Sequence, residues 1–255
     1  MRRAIGIASL ACFVALPVFA GETPIALYAT GHYEDAMKAG AGLGTAPGFV
    51  IAARAALADA QTRDQPCLPC LQRAEGFARH AVATDPKLPD GQTYLAVSLG
   101  YEARVVGPVT ARFHNYPGHA KDALDAALVS DPKNPWALGA LGGWNIEIVR
   151  TGGDTLADLL YGATVDQGLD AFARAFKAAP DNLAVRYQYA LSLSGYDPDR
   201  FRHEIEDAFV RVAHEQPQTA YERLAQKRAA ELAELLRKGD RAAFDARVRK
   251  YQGYP

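Results

Sequence analysis

Five segments of the chain share one pattern: small and apolar residues at steps of three and four, closed by a proline. Gly31, Tyr33, Ala36, Gly40 and Leu43 lead to Pro47, and Ala74, Ala78 and Ala81 lead to Asp85-Pro86. Ala120, Ala123 and Ala127 precede Asp131-Pro132. Gly168, Ala171-Phe172 and Ala175-Phe176 precede Pro180, and Ile205, Ala208-Phe209 and Val212 precede Pro217. The successive prolines lie 39, 46, 48 and 37 residues apart. Such spacing puts the small side chains on one helix face, where a neighbouring helix can approach closely, and the proline stops each helix. Alanine is 49 of 255 residues, which favours helix because alanine gives up no side-chain entropy there.

After every stop a second helical stretch is predicted, at about 48–61, 89–106, 134–150, 182–195 and 218–238. Alternating or β-branched runs such as Val105-Val106 are too short to make strands. The expected fold class is therefore all-α, a stack of helix pairs. The units resemble tetratricopeptide repeats. Gly31-His32-Tyr33-Glu34-Asp35-Ala36 through Pro47 matches the second helix of such a repeat. Leu138, Leu141 and Gly142 match the first-helix pattern, with Asn145 where an aromatic is expected, and Tyr189, Ala190 and Leu193 match it again. The likeness covers roughly residues 24–240. It implies a right-handed helix-turn-helix solenoid of about five to six pairs, one domain over 21–255 with C-terminal capping helices. Two steps exceed the usual repeat length of about 34, and the excess falls at Gly107–Gly118 and Thr151–Thr164. The first insert reads as an ordered loop with turns; Thr155–Tyr161 can form a short extra helix.

In such a solenoid the first helix of each pair lines the concave face. Aligning by the repeat motif puts Thr93, Val97 and Tyr101 there in one unit, Trp136, Gly143 and Glu147 in the next, and Tyr187, Leu191 and Ser194 in the following one. Aromatic residues among polar ones suit peptide or small-ligand contact, although Trp136 and Tyr187 can equally be packing between repeats. The stretch Gly142-Gly143-Trp144-Asn145-Ile146-Glu147-Ile148-Val149-Arg150 is denser in polar residues than packing requires. Each helical glycine costs about 1 kcal/mol relative to alanine, so a close helix or a ligand should compensate. Glu147 and Arg150 can pair on one face, completing with Trp144 the candidate groove. Glu102, Arg104 and Tyr101 repeat the combination one unit earlier.

Arg2 and Arg3 precede an apolar run from Ala4 to Ala20, broken by Ser9 and Pro17 and ending in Val18-Phe19-Ala20. This is the pattern of a secretory signal peptide over 1–20 cleaved after Ala20, giving a periplasmic or secreted protein. A lipidated Cys12 is the competing reading. Only Cys67 and Cys70 then remain, in an oxidising compartment. The spacing Cys67-Leu68-Pro69-Cys70 predicts a local structural disulfide; a thiol-disulfide redox pair or a metal ligand pair are the alternatives. No later segment is apolar enough for stable membrane insertion. A net charge of -1 excludes a globally basic nucleic-acid binder.

No H-E-x-x-H, G-x-S-x-G, P-loop or dinucleotide-binding fingerprint occurs at a fitting junction, and the six histidines form no pair in register with an acid. No catalytic residue, metal or cofactor is assigned. The repeat resemblance implies a non-catalytic scaffold binding a protein or peptide in its groove. The alternative is a small-molecule-binding component whose array encloses a pocket closed by the two inserts. A closed cavity lined by Trp144, Tyr101 and Arg150 would favour the second reading.

Overall fold

A computed structural model describes residues 22–255. The expected signal segment, with Cys12, lies outside the described residues, which hold fourteen helices and no strand. In chain order these are α1 (Pro24–Thr30), α2 (Tyr33–Gly42), α3 (Ala46–Thr62), α4 (Leu68–Thr84), α5 (Pro89–Val106), α6 (Pro108–Phe113) and α7 (Tyr116–Ser130). There follow α8 (Pro135–Gly152), α9 (Asp154–Tyr161), α10 (Val165–Ala178), α11 (Leu183–Tyr196), α12 (Arg202–His214), α13 (Ala220–Lys238) and α14 (Arg241–Tyr251). The second helical stretches read from sequence correspond to α3, α5, α8, α11 and α13. The first insert is not a loop. Pro108 starts the short helix α6 after Gly107, and α7 begins at Tyr116 inside the supposed turn.

Helix limits follow from local chemistry. Pro47, Pro89 and Pro135 each sit in the first turn of a helix, where the missing N–H has no intrahelical partner to lose. Of the prolines read as helix stops only Pro47 is among them; Pro86 and Pro132 lie between helices, after α4 and α7. Asn134 caps α8 by accepting from the N–H groups of Trp136 (3.1 Å) and Ala137 (3.0 Å). Its own amide donates to Asp90 at the start of α5 (3.1 Å), which ties the two helix origins together. Thr164 and Thr219 form capping boxes with Gln167 and Glu222.

The alanine stripes pack as their spacing predicts. Ala36, Ala74, Ala78, Ala81 and Ala127 are fully buried. A Cβ on Gly40 would lie 2.7 Å from the Gly48 carbonyl oxygen, so only glycine lets α2 and α3 approach this closely. The paired glycines of α8 divide their roles. Gly142 receives the ring of Phe172, 2.5 Å from where a Cβ would stand, whereas Gly143 has nothing nearer than Ser192 at 3.6 Å.

Consecutive helices pack on one another except that α10 packs on α8 rather than α9, and a second set of contacts links α1 to α3, α3 to α5, α5 to α8, α8 to α11 and α11 to α13. α13 also packs on α1, so these six inner helices make a closed circuit. Arg223 donates to the Ala29 carbonyl (3.2 Å), Arg228 donates to the Gln61 carbonyl, and Lys250 pairs with Asp64 (3.3 Å). The exposed pair adds little. The apolar contact of Ala220 and Tyr221 of α13 with the cluster that holds Tyr28 and Tyr33 carries more. The C-terminal stretch Arg223–Arg249 is thus more than a solvated cap. It breaks at Gly239 into α13 and α14, which cover α11 and reach across to α1.

Cys67 and Cys70 are disulfide-bonded at the start of α4, with Cys67 at the N-cap. Such a short loop restricts the unfolded chain only slightly. The double variant Cys67→Ser/Cys70→Ser is expected to lose about 1–2 kcal/mol of stability in denaturant titration, with the helix content unchanged by circular dichroism.

Candidate ligand pocket

Inside the circuit the inner helices surround a cavity of about 1030 Å³. Its wall follows α8 from Trp136 to Gly152, a span of about 24 Å at 1.5 Å per residue. Gly100 and Gly143 face it from α5 and α8, and at Gly100 a Cβ would meet nothing within 4 Å. A glycine is not needed there for packing between helices, and its effect is to leave space. The inserts complete the enclosure. Pro108 and Ala111 of α6, and Leu156, Ala157 and Leu160 of α9, all line the cavity. Trp144 joins these parts: its indole N–H donates to the Pro117 carbonyl (3.0 Å) and its ring meets Tyr161 edge-on at 6.2 Å.

Two charged groups of different character lie in the wall. At the C-terminal ends of α5 and α8, Arg150 donates to both carboxylate oxygens of Glu147 (2.8 and 3.3 Å), and Arg104 stands 3.7 Å from the same carboxylate. Arg104 also donates to the Gln252 carbonyl (3.1 Å). The hydroxyl of Tyr254 bonds both Glu147 and Arg150. Burial pushes the Glu147 carboxyl up, but Arg104, Arg150 and Tyr254 outweigh it and hold it at about 2. This group therefore stays ionised at any physiological pH. The tail after α14 thus enters the groove and fills one side of it with Tyr254.

At the opposite end Arg54 of α3 lies 4.4 Å from the Tyr28 ring centroid and 5.2 Å from that of Trp136. Among the described residues it makes no ion pair within 4.0 Å. Burial disfavours its charge, and the nearby phenols of Tyr94 and Tyr28 and the more distant Glu222 restore it. Glu222 itself is engaged by the N–H groups of Gln218 (2.6 Å) and Thr219 (3.0 Å). Tyr94, Thr93 and Gln188 line the cavity with Arg54.

Of the residues read from sequence as a groove, Thr93, Val97, Tyr101, Trp136, Gly143, Trp144, Glu147 and Arg150 come together in this cavity. Tyr187, Leu191 and Ser194 do not. They are buried at 1–2% exposure, and α11 presents Ala184, Val185, Gln188 and Ser192 to the cavity instead. One residue on a helix is a turn of 100°, and α14 with its tail covers the face expected to be open: Gln252 donates to the Leu191 carbonyl (3.1 Å). Tyr28, Arg54, Tyr94, Tyr221 and Tyr254 were not foreseen, and Arg104 was read as a partner of Glu102 rather than of Glu147. For Arg54 a signal existed, a single charge in the run Ala52-Ala53-Arg54-Ala55-Ala56-Leu57. Cys67 and Cys70 lie away from the cavity.

Glu102 corrects the expectation that it repeats the Glu147–Arg150 arrangement. It points away from Arg104 and is completely buried, with both carboxylate oxygens lacking a hydrogen-bond donor. Burial first, then the adjacent Glu75 carboxylate, raise its affinity for a proton, and Arg79 opposes them. Among the described residues no three His, Cys, Asp or Glu side chains converge as metal ligands. Comparison of the chain with models of protein families and with curated proteins finds no match.

The Glu102 carboxyl has a testable consequence. Its folded value lies above the unfolded value of about 4.3, so its contribution is complete below that pH and is lost as pH rises above it. Glu102→Gln should therefore flatten the decline of melting temperature between mildly acidic and alkaline buffer, and should melt higher than the parent protein on the alkaline side. A decline unaltered by the substitution would assign the effect to another group.

Proposed function

We propose that the protein is an exported, non-catalytic binding protein built from tetratricopeptide-like helix pairs, and that its pocket holds a small elongated molecule. Six pairs account for the chain, with α6 and α9 as insertions between the helices of the third and fourth pairs. The inner-helix contacts α1–α3–α5–α8–α11–α13 support a repeat arrangement. Export is supported by the apolar run behind Arg2 and Arg3 and by the disulfide, which suits an oxidising compartment.

The observation that carries the reading is the return contact of α13 on α1, which bounds the groove on that side and leaves a half-open cavity. An open superhelix presents a long surface to a peptide or protein. Here residues of the inserts, Tyr221 of α13 and Tyr254 line the cavity and narrow it for a folded partner. A volume of about 1030 Å³ is at the upper end of pockets that take small ligands. Trp136 and Trp144 give it apolar area with a polar edge. The peptide reading stays as the second one, since an extended peptide of about seven residues would span the same length.

Gly100 provides the test. Gly100→Trp puts an indole into open space from a helix position where glycine is the poorer helix former, so the variant should melt no lower than the parent. Titrated with the neutral apolar probe 1-aminoanthracene, the parent protein should bind one equivalent with enhanced probe fluorescence, and the variant should lose at least tenfold in affinity. Equal binding by both proteins, or none by the parent, would remove the pocket as the binding site.

A further inference from the structure

We infer that the pocket selects an organic anion with an extended apolar body, its acidic head received by Arg54. This deepens the proposed binding function and rests on it. Arg54 carries its charge inside a cavity with the rings of Tyr28 and Trp136 beside its guanidinium and the neutral hydroxyls of Tyr28 and Tyr94 near it, but no carboxylate of the described residues within 4.0 Å. Cation–π contact compensates a desolvated guanidinium in part, but leaves its N–H donors without an anionic acceptor. The other cations of the cavity differ in this respect. Arg104 and Arg150 share Glu147, and Arg112 on α6 and Arg249 on α14 are exposed to solvent. A guanidinium is a planar donor fork suited to a carboxylate or a phosphate, and its worth rises as water is excluded. Tyr94 and Gln188 line the same end and offer a hydroxyl and the second proton of an amide around such a head, while the Thr93 hydroxyl is spent on the Pro89 carbonyl (2.9 Å).

Apart from the Glu147 cluster and polar side chains such as Tyr116, Thr151 and Ser192, the rest of the cavity is apolar and specifies the body. Beyond Gly100 and Gly143 the lining passes to Leu99 and Val106 of α5, Leu124 of α7, Ile148 of α8, and Leu156 and Leu160 of α9. None of these can hydrogen-bond. From Trp136, beside Arg54, to Ile148 is twelve residues of α8, about 18 Å. A molecule anchored at Arg54 and reaching the inserts is therefore long and apolar along most of its length. The outer faces of the inserts carry exposed Val109, Phe113 and Leu159, so the apolar end of the ligand would lie under the part of the surface that is itself most apolar.

The fluorescence of the protein reports on this site directly, because both of its tryptophans line the cavity. Tetradecanoate, used as the probe below its micelle concentration, should change that fluorescence saturably, with tetradecanol at least tenfold weaker and tetradecyltrimethylammonium weaker still. Shortening the chain towards decanoate should weaken binding about fourfold per methylene, the equivalent of about 0.8 kcal/mol each. Arg54→Met should lose at least tenfold for tetradecanoate and nothing for tetradecanol. Its melting temperature without ligand should be equal or higher, since a desolvated cation with no carboxylate partner is replaced by an apolar chain of similar size. Arg54→Lys keeps the charge without the fork and should fall between. Arg112→Met should bind as the parent does. Tetradecanoate and tetradecanol binding equally, or a loss that follows Arg112 instead of Arg54, would overturn the inference while 1-aminoanthracene binding left the pocket in place. Unfolding of both Arg54 variants would make Arg54 a structural residue and would equally overturn it.

Discussion

The packing of α13 against α1 determines what the rest of the molecule can do. Without it, six inner helices would line an open trough and their aromatic residues would face solvent. With it, the same residues surround a cavity. The contact is made by small residues and by backbone acceptors. Gly31 leaves so little room that a Cβ there would stand 3.0 Å from the Ala220 Cβ. Arg223 and Arg228 each donate to carbonyls at helix ends, Ala29 and Gln61. Carbonyls in the last turn of a helix lack intrahelical partners and carry the negative end of the helix dipole, so arginine is well matched to them.

Closure also explains why charge is distributed unevenly around the cavity. Glu147 is satisfied by Arg104, Arg150 and Tyr254, and Tyr254 is present only because the tail after α14 is folded back. That end of the pocket is internally neutralised apart from one positive charge. The Arg54 end, built from α1, α3 and α8 with no acid on its inner faces, is not neutralised within 4.0 Å. The cavity therefore differs from end to end, with a cation paired to a carboxylate at one and an arginine without a carboxylate partner at the other.

Helix limits were legible in the sequence because they are set locally, by prolines in first turns and by Asn134, Asn182, Thr164 and Thr219 as caps. The set on α5 and α8 that lines the cavity was legible too, since steps of three and four residues fix which side chains share a helix face. On α11 the same argument failed for Tyr187, Leu191 and Ser194 because α14 and its tail cover that face. No local spacing encodes such a contact between Gln252 and Leu191, 61 residues apart. Gly107–Gly118 was read as a loop because its turn-forming residues are also helix starters: Pro108 and Pro117 both lie in first turns. The glycine pair of α8 was recognised as costly, but only the structure separates Gly142, which makes room for Phe172, from Gly143, which makes room for the cavity.

Closure of the helix circuit is the claim on which the pocket depends, and a distance measurement across the junction tests it most directly. Spin labels at Ile25→Cys on α1 and Lys227→Cys on α13, both at exposed positions, with Cys12 replaced by Ser and Cys67–Cys70 left paired, can be measured by pulsed electron resonance in frozen solution. Packed helices lie about 8–10 Å apart, so the closed account gives one narrow, short distribution, unchanged by adding ligand. A broad distribution reaching several tens of ångströms would mean an open array, and the enclosed pocket would not exist in solution.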